Sequence, residues 1–234
     1  MTRTQTGYIL ALDKTDPHRT CESKRFIGKI MYLYVGAQPR WNTVHNQYFD
    51  GKIGMYGPFI TIQKAKRASR NRPRGADVIK PVDVDREVSR QMLINKVLLD
   101  IRAIFPKGWD GIGPEREIEL QQDNATPHVN GDDEELIPEL VKDSVKIVLI
   151  NQPPNLPDMN VRDLGFFCAI QSLQHTLPQE GYAGIISETT KAFELMSTDA
   201  LNNVFLTWQS CMIEAIMNEG SNHYKIPHMG KATL

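Results

Sequence analysis

Hydrophobic positions recur at two different spacings along the chain, and each spacing predicts a different kind of element. In the first third, residues 29–37 and 51–62 are apolar and rich in β-branched and aromatic side chains, a pattern typical of strands. Glycines and Pro58 interrupt the second of these segments. We therefore predict either one bent strand or two strands between residues 51 and 62.

The clearest helix is predicted over residues 83–105. Its apolar side chains recur at helical spacing, which places them on one face. They are Val88, Met92, Val97, Ile101 and Phe105. Asp83 or Asp85 can cap the first turn. We interpret the apolar face as core rather than as a binding surface.

The second half of the chain alternates strand and helix patterns. Residues 117–122 predict a strand that ends at Asp123, and the apolar run 146–151 predicts a strand buried on both faces. The acidic segment 132–143, between these two strands, is predicted to be a helix.

A proline-rich loop follows the second strand, and the remainder is helical in pattern. Residues 162–175 predict an amphipathic helix, and residues 187–218 predict two more helices. Strands first, then strands alternating with helices, predict an α/β fold with a mixed sheet flanked by helices.

Composition narrows the class of protein. The 234 residues suffice for one large domain or two small ones, and the 41% of hydrophobic residues is enough to form a core. No apolar run approaches the roughly 20 residues of a membrane helix, so we predict no membrane partner. The three cysteines, Cys21, Cys168 and Cys211, form no closely spaced pair. This spacing argues against a disulfide framework or a zinc site and favours a reducing compartment such as cytoplasm or nucleus.

Charge is distributed unevenly, although the chain as a whole has a net charge of only −1. The segment from Gln63 to Lys80 contains one acidic residue, Asp77, among its basic side chains. The candidate DNA contacts within it are Lys64, Lys66, Arg67, Arg70, Arg72 and Arg74. Such a stretch indicates contact with a polyanion, and it is equally compatible with a solvated loop or a nuclear import signal. We predict a loop for it, because Pro73 and Gly75 disfavour helix.

Two aspartates stand where catalytic carboxylates are often found. Asp123 follows the first strand of the second half, and Asp163 lies in the first turn of the helix after the proline-rich loop. If the two strands are neighbours, the carboxylates converge and repel each other unless a cation lies between them. Mg²⁺ prefers such oxygen ligands, and paired ions can activate water and hold the leaving oxygen of a phosphodiester. Purely structural roles are also open: a turn for Asp123 and helix capping for Asp163.

The strings around these aspartates resemble a known family. QQDNATPH and INQPPNLPDMNVRDLGFFCAIQSLQ are similar to the catalytic core of mariner-like DNA transposases of the type found in plants and oomycetes. The 39 residues between Asp123 and Asp163 match that branch, and His128 falls within its motif. Upstream strings, including FDGKIGMYGPF and KPVDVDREVSRQMLINKVL, also resemble it. The resemblance extends from about Gly7 to about Gln174.

The resemblance implies an RNase H-like fold over residues 1–178, with a C-terminal helical region of the same domain over 179–234. It implies a three-aspartate site that uses Mg²⁺ or Mn²⁺, in which Asp123 and Asp163 match the second and third aspartates. The implied reaction is cleavage and joining of double-stranded DNA at transposon ends, in the nucleus. The implied partners are transposon-end and target DNA, with possible self-association or association with a full-length transposase.

One departure from the family pattern affects the expected activity. The family's first aspartate lies in a strand with a sequence like Asp-Glu-Lys-Trp-Phe, and no such string occurs in this chain. We expect either a copy truncated at the N-terminus or a partial gene model. In both cases the chain lacks the first strand of the sheet, and we expect it to bind metal weakly and to have little or no catalytic activity.

Two alternatives stay open beside an incomplete transposase domain. In the first, the chain is a non-catalytic protein that binds DNA through its basic stretch, or that joins a full-length transposase and inhibits it. In the second, it is another metal nuclease of RNase H-like fold that recruits a different acidic residue.

Overall fold

The computed structural model describes residues 28–42, 46–70, 72–105, 117–174 and 181–227. Its strands, in chain order, are β1 (Leu33–Gly36), β2 (Arg40–Asn42), β3 (Gln47–Phe49), β4 (Lys52–Tyr56), β5 (Ile60–Lys64), β6 (Asp77–Pro81), β7 (Ile118–Gln122) and β8 (Ile147–Asn151). The predicted mixed α/β class is confirmed. The segment 51–62 forms two strands, which are separated by residues 57–59.

The described strands form four two-stranded sheets and not one mixed sheet. β1 pairs with β4, β2 with β3 and β5 with β6, all antiparallel. β7 and β8 pair in parallel. The single sheet expected from the sequence is therefore not formed by the described residues, which make four small sheets instead.

The long helix predicted over 83–105 is confirmed. Helix α1 comprises the α-helical segment Arg86–Met92, the π-helical turn Leu93–Val97 and the α-helical segment Leu98–Ile104. Its N-cap is Asp85, whose carboxylate accepts a hydrogen bond of 2.9 Å from the backbone N–H of Val88. Such caps satisfy one of the free N–H groups at a helix start.

Helix α1 packs across two of the small sheets. Its buried residues Val97, Leu98 and Ile101 share one hydrophobic core, the main core, with side chains of both sheets. The strand contributions are Leu33 and Val35 of β1, Ile53 and Tyr56 of β4, Ile118 and Leu120 of β7, and Ile147 and Leu149 of β8. One helix therefore holds the β1–β4 and β7–β8 sheets together.

The prediction of a helix over the acidic segment 132–143 is wrong for most of its length. Only Ile137–Leu140, helix α2, is α-helical, and a 3₁₀ turn follows at Lys142–Ser144. The Asp133 carboxylate accepts hydrogen bonds from the backbone N–H groups of Glu135 and Leu136, both at 3.2 Å. Such side-chain-to-backbone bonds favour turns over helix.

The last third of the described chain is helical, as predicted. Helix α3 begins with a π-helical turn at Arg162–Phe166 and continues through Phe167–Gln174. Helices α4 (Gly181–Leu195) and α5 (Thr198–Met217) follow. The three helices share a second core. Its buried residues are Phe166, Ile170, Ala192, Met196, Leu201 and Phe205. No helix among the described residues is long and apolar enough to cross a membrane.

Candidate functional site

The parallel pairing of β7 and β8 determines where the site lies. The two strands are in register from Ile118 opposite Ile147 to Gln122 opposite Asn151. Because parallel strands end at the same edge of a sheet, Asp123 emerges beside the loop that leaves β8. The condition set by the sequence, that the two strands be neighbours, is therefore met.

Side chains join the two strand ends directly. Gln122 is buried, and its Nε2 donates hydrogen bonds to the carbonyl of Val129 at 2.7 Å and to Oδ1 of Asn151 at 2.8 Å. Asn124 donates from Nδ2 to the carbonyl of Gln152 at 2.8 Å. These bonds satisfy polar groups at the sheet edge and hold the loop after β7 against the loop after β8.

Asp123 is surrounded by donors. Its Oδ1 accepts a hydrogen bond of 2.9 Å from the backbone N–H of Ala125, and Nδ1 of His128 lies 2.9 Å from the same oxygen. Its Oδ2 lies 3.5 Å from Nη2 of Arg162. Both carboxylate oxygens thus have partners within the protein, and the turn predicted as the structural alternative for Asp123 is present.

Asp163 lies at the start of α3, where Asn160 organises the first turn. Asn160 is buried, and its Oδ1 accepts a hydrogen bond of 3.0 Å from the backbone N–H of Arg162. Its Nδ2 donates to Oδ2 of Asp163 at 3.1 Å. Asp163 is exposed, and its position in the first helical turn suits a negative charge.

The loop before α3 is fixed to the sheet and to the last helix through one carbonyl group. The backbone oxygen of Met159 accepts a hydrogen bond from Nε2 of Gln121 in β7 at 3.2 Å. It accepts a second from Nε1 of Trp208 in α5 at 3.0 Å. Two elements distant in sequence thereby place the helix start that carries Asp163 near the end of β7.

Asp123 and Asp163 are connected by side chains that the sequence analysis did not select. A chain of contacts runs from Asp123 to Arg162, from Nε of Arg162 to Oδ1 of Asn160 at 3.4 Å, and from Asn160 to Asp163. We call these residues, with His128, the strand-end site. The signal that could have revealed Arg162 is its position next to Asp163, which puts a cation at the same helix start.

The donor types of this site fit a hard divalent cation. Asp123 and Asp163 supply carboxylate oxygens, and Mg²⁺ is often bound by one or two carboxylates together with substrate phosphates. Among the described residues, no group of three or more His, Cys, Asp or Glu side chains forms a candidate metal site. The two aspartates therefore offer oxygen donors of a suitable type, without a third described His, Cys, Asp or Glu side chain that forms a metal-binding group with them.

The sequence predicted a loop for the basic stretch. At its base the chain instead forms two paired antiparallel strands, β5 and β6. The register runs from Ile60 opposite Pro81 to Lys64 opposite Asp77. Backbone hydrogen bonds extend the ribbon toward its tip, from the N–H of Ala65 to the carbonyl of Ala76 at 2.8 Å and between Ser69 and Arg72. We call residues 60–81 the basic hairpin.

The cations of the basic hairpin differ in their surroundings. Lys64 forms an ion pair with Asp77, its cross-strand neighbour, at 2.6 Å. Lys66, Arg67, Arg70, Arg74 and Lys80 are exposed. In the part of the chain that the structure describes, none of these five forms an ion pair, nor does any hydrogen bond or ion pair join the hairpin to the strand-end site.

Comparison with protein-family models, with curated proteins and with solved structures finds no match to this chain. The family resemblance expected from the sequence therefore has no support from these comparisons.

Proposed function

We propose that this chain is a DNA-processing domain of the mariner-like transposase type, built on an RNase H-like fold. Asp123 and Asp163 are its metal-binding carboxylates, and the basic hairpin holds double-stranded DNA, either transposon ends or target DNA. The observation that carries the proposal is the parallel, in-register pairing of β7 and β8. That pairing brings the carboxylate after β7 next to the helix start after β8.

Each side chain of the strand-end site has a role that follows from its contacts. Asp123 and Asp163 would hold Mg²⁺ or Mn²⁺. His128 and the N–H of Ala125 orient the Asp123 carboxylate, and Asn160 orients that of Asp163. When bound, the metal supplies a Lewis acid for a phosphoryl oxygen and promotes ionisation of a bound water. A DNA substrate implies a nuclear location.

We expect weak metal binding and little or no strand cleavage by this chain alone. Both oxygens of Asp123 already have partners, so a metal must replace at least one of them. In addition, the sequence supplies only two of the three aspartates that the resemblance implies. A full-length transposase is the partner that would supply the missing ligand, because a second copy of this chain lacks the same aspartate.

Calorimetric titration with Mn²⁺, in the presence of a short DNA duplex, tests the metal site. We expect binding by the native chain that falls more than about tenfold, or 1.4 kcal/mol, in the double variant Asp123→Asn with Asp163→Asn. The matched control is Asp83→Asn with Asp132→Asn, which removes two exposed aspartates and the same charge. An equal loss of binding in the control would contradict a specific site. Efficient metal-dependent cleavage by the native chain would contradict the expected lack of catalytic activity.

A non-catalytic role in DNA binding, or in inhibition of a full-length transposase, is the second candidate. The observation that favours it is the contrast in charge compensation between the two sites. Asp123 already has Arg162 and His128 beside it, whereas the exposed hairpin cations have no described acidic partner. This role is supported if the native chain binds duplex DNA but its Mn²⁺ binding equals that of the Asp123→Asn, Asp163→Asn variant.

A further inference from the structure

Arg162 is the only cationic side chain that the described ion pairs place against Asp123, apart from any charge on His128. Its guanidinium is largely shielded, with 18% of the side chain exposed. Its Nε faces Oδ1 of Asn160, the same residue whose amide donates to Asp163. Arg162 thus lies on the only described path of polar contacts between the two carboxylates.

A guanidinium in this position supplies positive charge beside the Asp123 carboxylate, as a bound metal ion would. It stays protonated at any pH a protein tolerates, so its charge is permanent. It also belongs to the chain, so no binding equilibrium is needed to bring it to Asp123. A divalent cation within about 4 Å of the same charge would be strongly repelled.

The guanidinium lies within ion-pair distance of Asp123 but does not hold it tightly. The 3.5 Å separation between Nη2 of Arg162 and Oδ2 of Asp123 exceeds the roughly 2.7–2.9 Å of a charge-assisted hydrogen bond. Asp123 retains its bonds to Ala125 and His128 if the guanidinium moves away. Arg162 can therefore leave without collapse of the turn that carries Asp123.

We propose that Arg162 is a built-in competitor for the cation site, which lowers the metal affinity of the Asp123–Asp163 pair until it is displaced. This inference rests on the proposed function, because it takes the two aspartates as metal ligands. It identifies a specific residue that weakens metal binding, and it predicts that a bound DNA phosphate assists metal entry. A phosphate can attract the guanidinium away from Asp123, because arginine pairs well with phosphate oxygens.

Mn²⁺ calorimetry without DNA, on the native chain and on Arg162→Gln, tests the inference. The glutamine variant keeps the backbone N–H that bonds to Asn160. It removes the positive charge together with the guanidinium contacts to Asp123 and Asn160. We expect Mn²⁺ to bind Arg162→Gln at least about tenfold more tightly than the native chain, a gain that is lost when Asp123→Asn is added. Arg162→Lys, which keeps a cation, should bind as weakly as the native chain.

Two controls separate a specific effect of Arg162 from a general loss of positive charge and from a change in folding. Arg86→Gln removes one exposed arginine at the start of α1 and should leave Mn²⁺ binding unchanged. Melting temperature measured with increasing Mn²⁺ checks folding, because ligand that binds the native state raises it. We expect the rise to be larger for Arg162→Gln than for the native chain.

The outcomes distinguish this inference from the proposed function. If the native chain and Arg162→Gln bind Mn²⁺ equally, and both lose it with Asp123→Asn, the metal site stands and the role of Arg162 is overturned. If neither binds Mn²⁺ with or without DNA, the metal site itself is wrong, and the role of Arg162 as a competitor is overturned with it.

Discussion

The basic hairpin and the strand-end site both contain many charged side chains. They differ in whether those side chains have partners of opposite charge within the protein. At the strand-end site, the Asp123 carboxylate is matched by a backbone N–H, a histidine and an arginine. On the hairpin, only Lys64 has a described acidic partner, while the exposed cations toward the tip have none. Charges that are matched internally stabilise a local arrangement, whereas unmatched charges attract a partner of opposite sign.

The largest expected effect comes from removing the unmatched cations. We expect the variant Lys66→Gln, Arg67→Gln, Arg70→Gln and Arg74→Gln to lose duplex-DNA affinity on the order of 10²–10³-fold near physiological salt, because each cation that contacts a phosphate releases counterions. The slope of log affinity against log salt should fall by about 3–4. Fluorescence anisotropy across a salt series measures both quantities.

The matched pair on the same hairpin is the control for this experiment. Lys64→Gln with Asp77→Asn removes one cation and its acidic partner, so the net charge is unchanged. We expect DNA affinity within about twofold of the native chain. If the paired variant loses as much affinity as the tip variant, the contrast between matched and unmatched cations does not decide DNA binding. Equal binding of heparin and duplex would indicate an unspecific polyanion surface.

An intermediate effect is expected from separating the two strand ends. Gln122→Leu leaves the acceptors on Val129 and Asn151 without their buried donor, which should cost about 2 kcal/mol of unfolding free energy. Gln121→Leu is the control, since the Met159 carbonyl keeps its bond from Trp208 and the cost should be smaller. Urea denaturation of both variants measures the difference. Similar losses of unfolding free energy in the two variants would show that the hydrogen bonds of Gln122 contribute no more to stability than the hydrogen bond of Gln121.

The smallest effect is expected from an ion pair that lies outside both the basic hairpin and the strand-end site. Nη2 of Arg90 in α1 lies 2.8 Å from Oδ2 of Asp133 in the loop after β7. The hydrogen bond from Arg90 lowers the pKa of Asp133 below its ordinary 3.8. A carboxyl group whose pKa is lowered on folding stabilises the protein above its unfolded pKa. That stabilisation is lost as the pH falls through the folded value.

Removing this pair should therefore lower stability at neutral pH more than in acid. We expect Asp133→Asn to lower the melting temperature by a few degrees at pH 7, with a gap to the native chain that narrows steadily below about pH 4. Melting curves between pH 2 and pH 7 measure this gap. A gap that stays constant over the whole range would mean that the pairing with Arg90 contributes nothing through the charge of Asp133.

Several elements were predictable because their own residues determine them. The face formed by Val97 and Ile101 and the cap at Asp85 define α1 locally. The apolar run 147–151 forms the predicted strand, but only Ile147 is buried, so the prediction of burial on both faces is wrong. The acidic segment was mispredicted, because the Asp133 carboxylate bonds to its own backbone and to Arg90 instead of extending a helix. The hairpin was missed for a different reason: the partner of β5 lies beyond a turn, so pairing was invisible in either strand alone.

The sequence by itself determined the kind of elements, the positions of Asp123 and Asp163 at a strand end and a helix start, and the concentration of positive charge in residues 63–80. Periodicity and local charge encode these features directly. Only the tertiary structure decided that β7 and β8 are parallel neighbours, that Arg162 lies against Asp123, and that Lys64 alone among the hairpin cations has a described acidic partner. Those features depend on which distant segments meet, and that is set by packing across the whole core rather than by any local pattern.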